Sequence, residues 1–172
     1  KSLCVLDIFT PQQAVYVTKD KGTEAIIKRL SYENSFIRYD ELEDVYRIHN
    51  IFSNYLKKIL EQNPLKIDIT VLYRRSGEWC LKNKDIIPGL NYLLKAKEYD
   101  IILTEFEKNH MTKVIDNNPR YIIELFQKIP LEAKYRHPIA YVNYIGFYVT
   151  NMNIYEGKRL LSETEEYYNN NE

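Results

Sequence analysis

The 172-residue chain has two cysteines, five glycines and six prolines, and no net charge. Cys4 and Cys80 lie far apart in apolar stretches, which gives neither a disulfide framework nor a metal-ligand spacing. Two buried thiols in a reducing cytoplasm fit that pattern. So little glycine and proline excludes long irregular loops and low-complexity linkers. Twenty-four basic residues balance 24 acidic ones, which excludes a polybasic nucleic-acid binder and an acidic disordered activator. No stretch approaches the roughly 18 apolar residues of a membrane span, and no basic and apolar leader opens the chain. There is no G-x-x-x-x-G-K-[ST] loop to cradle phosphates, and no basic helix-turn-helix near Glu172. No Ser–His–Asp or Cys–His set converges by spacing, so no catalytic residue is assigned. The expectation is a chain that by itself neither hydrolyses ATP nor binds DNA.

What is present is enough apolar residue, 45%, to bury a core, and an excess of tyrosine: 16 against six Phe and one Trp. Lys1–Phe9 has the apolar density of a mostly buried helix. Thr10-Pro11 then starts a helix over Pro11–Thr18, with Thr as N-cap and Pro at the first helical position. Thr23 caps a third helix, with Ala25, Ile26, Ile27 and Leu30 at helical spacing. The period then changes. Residues 36–39 and 45–48 are β-branched and aromatic and flank the polar turn Asp40-Glu41-Leu42-Glu43-Asp44, which predicts a β-hairpin with Tyr39 facing Tyr46. Three helices followed by a hairpin make a winged-helix unit. A helix over His49–Gln62 carries the apolar stripe Ile51, Phe52, Tyr55, Leu56, Ile59 and Leu60, and Asn63-Pro64 ends it.

The remainder reads as short helices in pairs: one from Asp68 or Thr70 to Lys82, then Ile86–Lys97, Tyr99–Lys108, His110–Ile115, a restart at Asn118-Pro119, Leu131–Tyr135, a second restart at His137-Pro138 running to Thr150, and Ile154–Tyr168. The fold class expected is therefore mainly α: a winged-helix domain over residues 1–63 with one β-hairpin, then an α-solenoid of tetratricopeptide-like helical hairpins over residues 64–172.

Three stretches in order carry a resemblance: Thr10-Pro11-Gln12-Gln13-Ala14 with the following Leu30–Ile37, then Tyr46 through Leu56, then Leu72 through Trp79. Their order and spacing resemble the middle of the large MalT-like, LuxR-type bacterial transcriptional regulators. In that family a signal-transduction ATPase precedes a winged helix, a helical-repeat sensor follows it, and a DNA-binding helix-turn-helix ends the chain. The resemblance implies that the ATPase and DNA-binding domains belong to the same protein but lie outside this chain. The opening Lys1, in place of Met, is what a piece cut near the ATPase boundary would have.

His49 is the sharpest candidate. Related signal-transduction ATPases have a Met-His-Asp motif at this place that touches the β-phosphate of ADP. The resemblance implies that His49 contacts ADP in the full-length protein, with Ile48 and Asn50 standing where that motif has Met and Asp. The plainer alternative is a histidine capping the helix or packing under the wing. Arg75 and Trp79 share a helix face and could stack, at a domain junction or on a ligand. Tyr141, Tyr144 and Tyr148 fall on one helical face. They line a partner-binding surface for a peptide, a sugar or a protein, or they are repeat core. Glu163, Glu165 and Glu166 read as solvated charge, and His110 and His137 lack ligand spacing for a metal.

The function expected is a non-catalytic regulatory segment that couples a small-molecule or protein inducer to an ATPase switch. The rivals are a stand-alone helical-repeat adaptor and a winged-helix DNA binder. Asp40, Glu41, Glu43 and Asp44 at the wing tip count against the last, because they would repel phosphate.

Overall fold

A computed structural model describes residues 2–33, 36–62, 68–108, 117–151 and 153–170. It is mainly helical, with a small three-stranded antiparallel sheet of order β1-β3-β2. The chain forms two compact units, Lys1–Lys97 and Glu98–Glu172.

The first unit opens differently from expectation. Ser2–Val5 is a 3₁₀ turn, and Ile8–Phe9 is a strand, β1, rather than the end of a helix. β2 is Ile37–Asp40 and β3 is Val45–Ile48. Ile8 and Phe9 pair with Arg47 and Tyr46, so the hairpin is two-thirds of the sheet. The reason is tertiary: β3 has a free edge, and the extended backbone at Ile8 and Phe9 satisfies it while Phe9 buries against Tyr46 at 6.0 Å. Tyr39 and Tyr46 are direct cross-strand partners with rings 4.9 Å apart, as their spacing predicts. Asp44 closes the turn at φ 51, and its carboxylate accepts from the Tyr39 hydroxyl at 2.8 Å.

α1 (Pro11–Thr18) starts as the sequence indicates, with Thr10 Oγ1 accepting from the Gln13 N–H. In α2 (Thr23–Glu33) Thr23 is not a cap; its hydroxyl shares a 2.8 Å bond with Thr18 and is buried. Of the four apolar positions expected inward there, Ile27 is buried and Leu30 half-buried, but Ala25 and Ile26 face solvent. α3 (Asn50–Gln62) is tied to the N-terminal turn by the buried Ser53, which donates to the Cys4 carbonyl at 2.7 Å. Ile51 and Tyr55, expected in its apolar stripe, are 73% and 59% exposed.

α4 (Ile69–Lys82) and α5 (Ile86–Lys95) also belong to this unit. The sequence places a boundary at residue 63. In the structure α4 packs on α1: Arg75 donates to the Val17 carbonyl at 3.1 Å, and Trp79 lies against Tyr16 at 5.2 Å. Arg75 and Trp79 each reach α1 and so serve packing at this junction. α4 and α5 approach closely because Gly77 and Gly89 meet there. A Cβ on Gly77 would lie 2.6 Å from Leu93 Cγ and 3.0 Å from the Gly89 carbonyl.

The second unit holds α6 (Tyr99–Phe106), α7 (Pro119–Gln127), α8 (Leu131–Arg136), α9 (Pro138–Asn151) and α10 (Ile154–Asn169). The helix expected over His110–Ile115 lies outside the described residues. Phe126 is the centre of this core, edge-on to Phe106 at 4.9 Å and stacked on Tyr144 at 4.2 Å. Arg136 grips Asp100 with three bonds of 2.8, 3.0 and 3.2 Å, and His137 reaches Asp100 and Glu107 at 3.2 Å each.

Two glycines give opposite expectations. Gly77→Ala forces α4 and α5 apart and lowers unfolding free energy by about 1–3 kcal/mol. Gly146→Ala meets nothing within 4 Å and raises it by up to about 1 kcal/mol through helix propensity. Urea denaturation followed by far-UV circular dichroism reads both.

Candidate functional site

The base of the wing gathers the chemistry. β3 ends at Ile48, whose backbone N–H donates to the Asp7 carbonyl at 2.9 Å. The next residue, His49, donates its N–H to the Phe36 carbonyl, and its own carbonyl takes the N–H of Ser53 as the first bond of α3. His49 is therefore the N-cap of α3. Its Nδ1 accepts from the Ile51 N–H at 3.3 Å, which satisfies one of the four unpaired donors of a helix start. A backbone N–H can only donate, so Nδ1 carries no proton, and the ring's N–H is at Nε2. The imidazole is exposed. Capping, one of the two roles open from the sequence, is what Nδ1 does; Nε2–H remains a donor.

The surroundings of that donor are cationic. A hollow of about 290 Å³ is lined by Phe36, Arg38, Arg47, Ile48 and His49. Arg38 and Arg47 are direct partners across β2 and β3, an arrangement of like charges that weakens a sheet unless something neutralises it. Arg47 is neutralised within the chain: its guanidinium meets Asp40 at 3.4 Å and forms a short contact with Glu43. Arg38 has no carboxylate partner among the described residues. Arg38 and the His49 ring thus line a single hollow, a combination that favours an anion. The two arginines were not singled out in the sequence; their signal is the strand register, which sets positions 38 and 47 opposite each other once Tyr39 and Tyr46 are paired.

Residues 1–66 match the family model of the MalT winged helix domain. The match supports a MalT-like protein. It spans the sheet, α1, α2, the wing and α3, and ends before α4. No curated protein and no solved structure matches the chain.

The other candidates lie elsewhere. In the second unit Tyr141 and Tyr144 are buried, at 3% and 7% exposure, and Tyr148 is half-buried. Burial, then the neighbouring Tyr148 and Tyr141 rings, push the Tyr144 hydroxyl up to about 12. Stacked on Phe126, Tyr144 serves as core. Tyr155 is 83% exposed, and Glu163 pairs with Arg159 on the outer face of α10. His110 lies outside the described residues. Among the described residues no group of His, Cys, Asp and Glu could hold a metal ion, and no helix is long and apolar enough to cross a membrane.

Both cysteines are buried and free, and burial, with some help from Asp85, pushes the Cys80 thiol up to about 11. At pH 8 only about a thousandth of Cys80 is thiolate, the reactive form. Ellman's reagent is therefore expected to leave Cys80 unlabelled in the native protein and to label it in 8 M urea. His49→Ala removes the cap and lowers stability by about 1 kcal/mol, whereas His49→Asn, a good N-cap, retains most of it; thermal unfolding of the two variants separates them.

Proposed function

We propose that this chain is a non-catalytic regulatory segment of a MalT-type transcriptional regulator of the LuxR class. The match over residues 1–66 carries the proposal. The winged helix packs on an ATPase domain of the same protein, and the His49 Nε2–H and the Arg38 guanidinium meet the phosphates of ADP bound there. The exposed pair Ile51 and Tyr55, one turn apart on α3 beside His49, supplies apolar surface for that packing. The helices of the second unit are the beginning of a tetratricopeptide-like sensor region. An inducer, small molecule or protein, shifts the protein between a closed form that holds ADP and an open form that releases it. DNA is read by a separate helix-turn-helix domain.

Direct DNA binding by the winged helix is disfavoured by the acidic turn between β2 and β3, where Asp40, Glu41, Glu43 and Asp44 sit at the point that would approach phosphate. A stand-alone adaptor is the second reading, and the exposed Ile51–Tyr55 stripe suits it equally well.

The test uses ADP and the full-length protein. His49→Asn keeps the helix cap but removes the outward ring donor, and Arg38→Gln removes the unpaired cation. Each is expected to weaken ADP binding about tenfold, the worth of one charge-assisted hydrogen bond, measured by isothermal titration calorimetry. Unchanged ADP affinity in both variants overturns the nucleotide role and leaves the adaptor.

A further inference from the structure

A cleft opens in the first unit where β1 and the start of α1 face α4 and α5. It consists of two adjoining hollows of about 440 and 450 Å³ that share Thr10, Gln13, Cys80 and Asp85. Both volumes lie in the range of small-ligand sites.

Gln13 is the unusual residue. It is only 8% exposed, and a buried amide normally has its hydrogen bonds made. Its Nε2 donates to Cys80 Sγ at 3.8 Å, a weak acceptor, and Oε1 has no donor among the described residues. No sealed polar side-chain atom among the described residues lacks a partner, so Oε1 opens onto the cleft. Asp85 stands at the N-cap position of α5 but makes no capping bond, and no ion pair among the described residues. Asp7 lines the hollow nearer β1; Lys57 and Ser53 approach only its Oδ1, at 3.6 and 3.4 Å. Burial first, and then the neighbouring Cys80 and Asp7, raise the Tyr92 hydroxyl above its ordinary range and keep it a donor–acceptor. Among the described residues no Lys or Arg lines either hollow. Thr10, Gln12 and Asn83 add polar edges, and the hollow nearer β1 has an apolar wall, with Ile8 half exposed at the rim and Val45 and Pro88 beside it.

The Gln13 carbonyl, the Asp85 carboxylate and the second oxygen of Asp7, whose first is met by Lys57, select a positively charged hydrogen-bond donor. The apolar wall selects a carbon chain attached to it. We propose that this cleft binds a primary ammonium group on a short apolar chain, the ammonium held by Asp85 and the Gln13 carbonyl and the chain lying along Ile8, Val45 and Pro88. The ligand's ammonium can come from a free alkylamine or from the lysine side chain of a partner protein. The cleft shares no lining residue with the wing base, so failure here and failure of the nucleotide proposal are separate results.

The test titrates the 172-residue chain with hexylammonium chloride, with sodium hexanoate and hexanol as controls. Trp79, the one tryptophan, lines the cleft and reports by fluorescence. Saturable binding of hexylammonium is expected, with hexanoate and hexanol at least about tenfold weaker, the worth of a hydrogen bond to a charged group. Asp85→Asn is expected to weaken hexylammonium about tenfold, and Gln13→Met, which keeps the side-chain length but not the carbonyl, about fivefold. Asp85 is exposed and makes no side-chain bond, so its variant keeps the fold. Nα-acetyl-lysine methylamide binding more tightly than hexylammonium identifies a lysine side chain as the natural source; weaker binding identifies a free amine. No saturation by hexylammonium, equal binding of hexanoate, or an unchanged affinity in Asp85→Asn overturns the proposal.

Discussion

The pairing of Ile8 and Phe9 with Arg47 and Tyr46 fixes most of what matters in the first unit. It covers one edge of β3 while β2 covers the other. It brings Phe9 onto Tyr46 and leaves Tyr46 flanked by Phe9 and Tyr39. It also sets where α1 begins, since Thr10 follows Phe9 directly, and it holds the end of β3 through the bond from Ile48 to Asp7. The position of His49 as the cap of α3 follows from that. So does one wall of the cleft at Gln13 and Cys80, because β1 leads straight into α1. A two-residue strand does this because both its faces are used: Phe9 inward to the core, Ile8 outward to the cleft rim.

A net charge of zero hides a division along the wing. The turn carries Asp40, Glu41, Glu43 and Asp44, and the strands beneath it carry Arg38, Arg47 and then His49. Asp40 and Glu43 neutralise Arg47, so the cross-strand arginine pair is tolerable without an outside anion, while Arg38 is left able to meet one. The tip is unsuited to a phosphate backbone, while the base keeps a cationic side chain beside the His49 ring. Charge totals cannot express this, because the opposing groups are separated by only a few residues along the chain.

Glycine economy is another constraint. With five glycines, the chain places non-glycine residues in left-handed conformations at Lys19, Asp44, Lys84 and Lys97. Gly77 and Gly89 serve close approach of α4 and α5, where any side chain would collide. The turns thus carry backbone strain, while Gly77 and Gly89 stand where two helices meet closely. This close packing, together with Arg75 and Trp79 on α1, makes α4 and α5 part of the first unit.

Local chemistry determined much by itself. Thr10-Pro11 started α1, the polar run between two β-branched segments made the hairpin with Tyr39 opposite Tyr46, and of the two starts open for α4, Asp68 and Thr70, Asp68 is the cap. His49 stood out from its motif, and its place after a strand made capping legible. These features depend on neighbours within a few residues, which is why they could be read in sequence. Tertiary structure decided the rest. Ile8-Phe9 became a strand because a free edge was waiting 37 residues away, and a dense apolar run is equally compatible with a helix. Ile51 and Tyr55 stayed outside while Tyr141 and Tyr144 went in, since burial depends on which helix arrives to cover a face. The Arg38–Arg47 pairing and the meeting of Gln13 with Cys80, 67 positions apart, exist only once register and packing are set, because no periodicity within either segment encodes its partner.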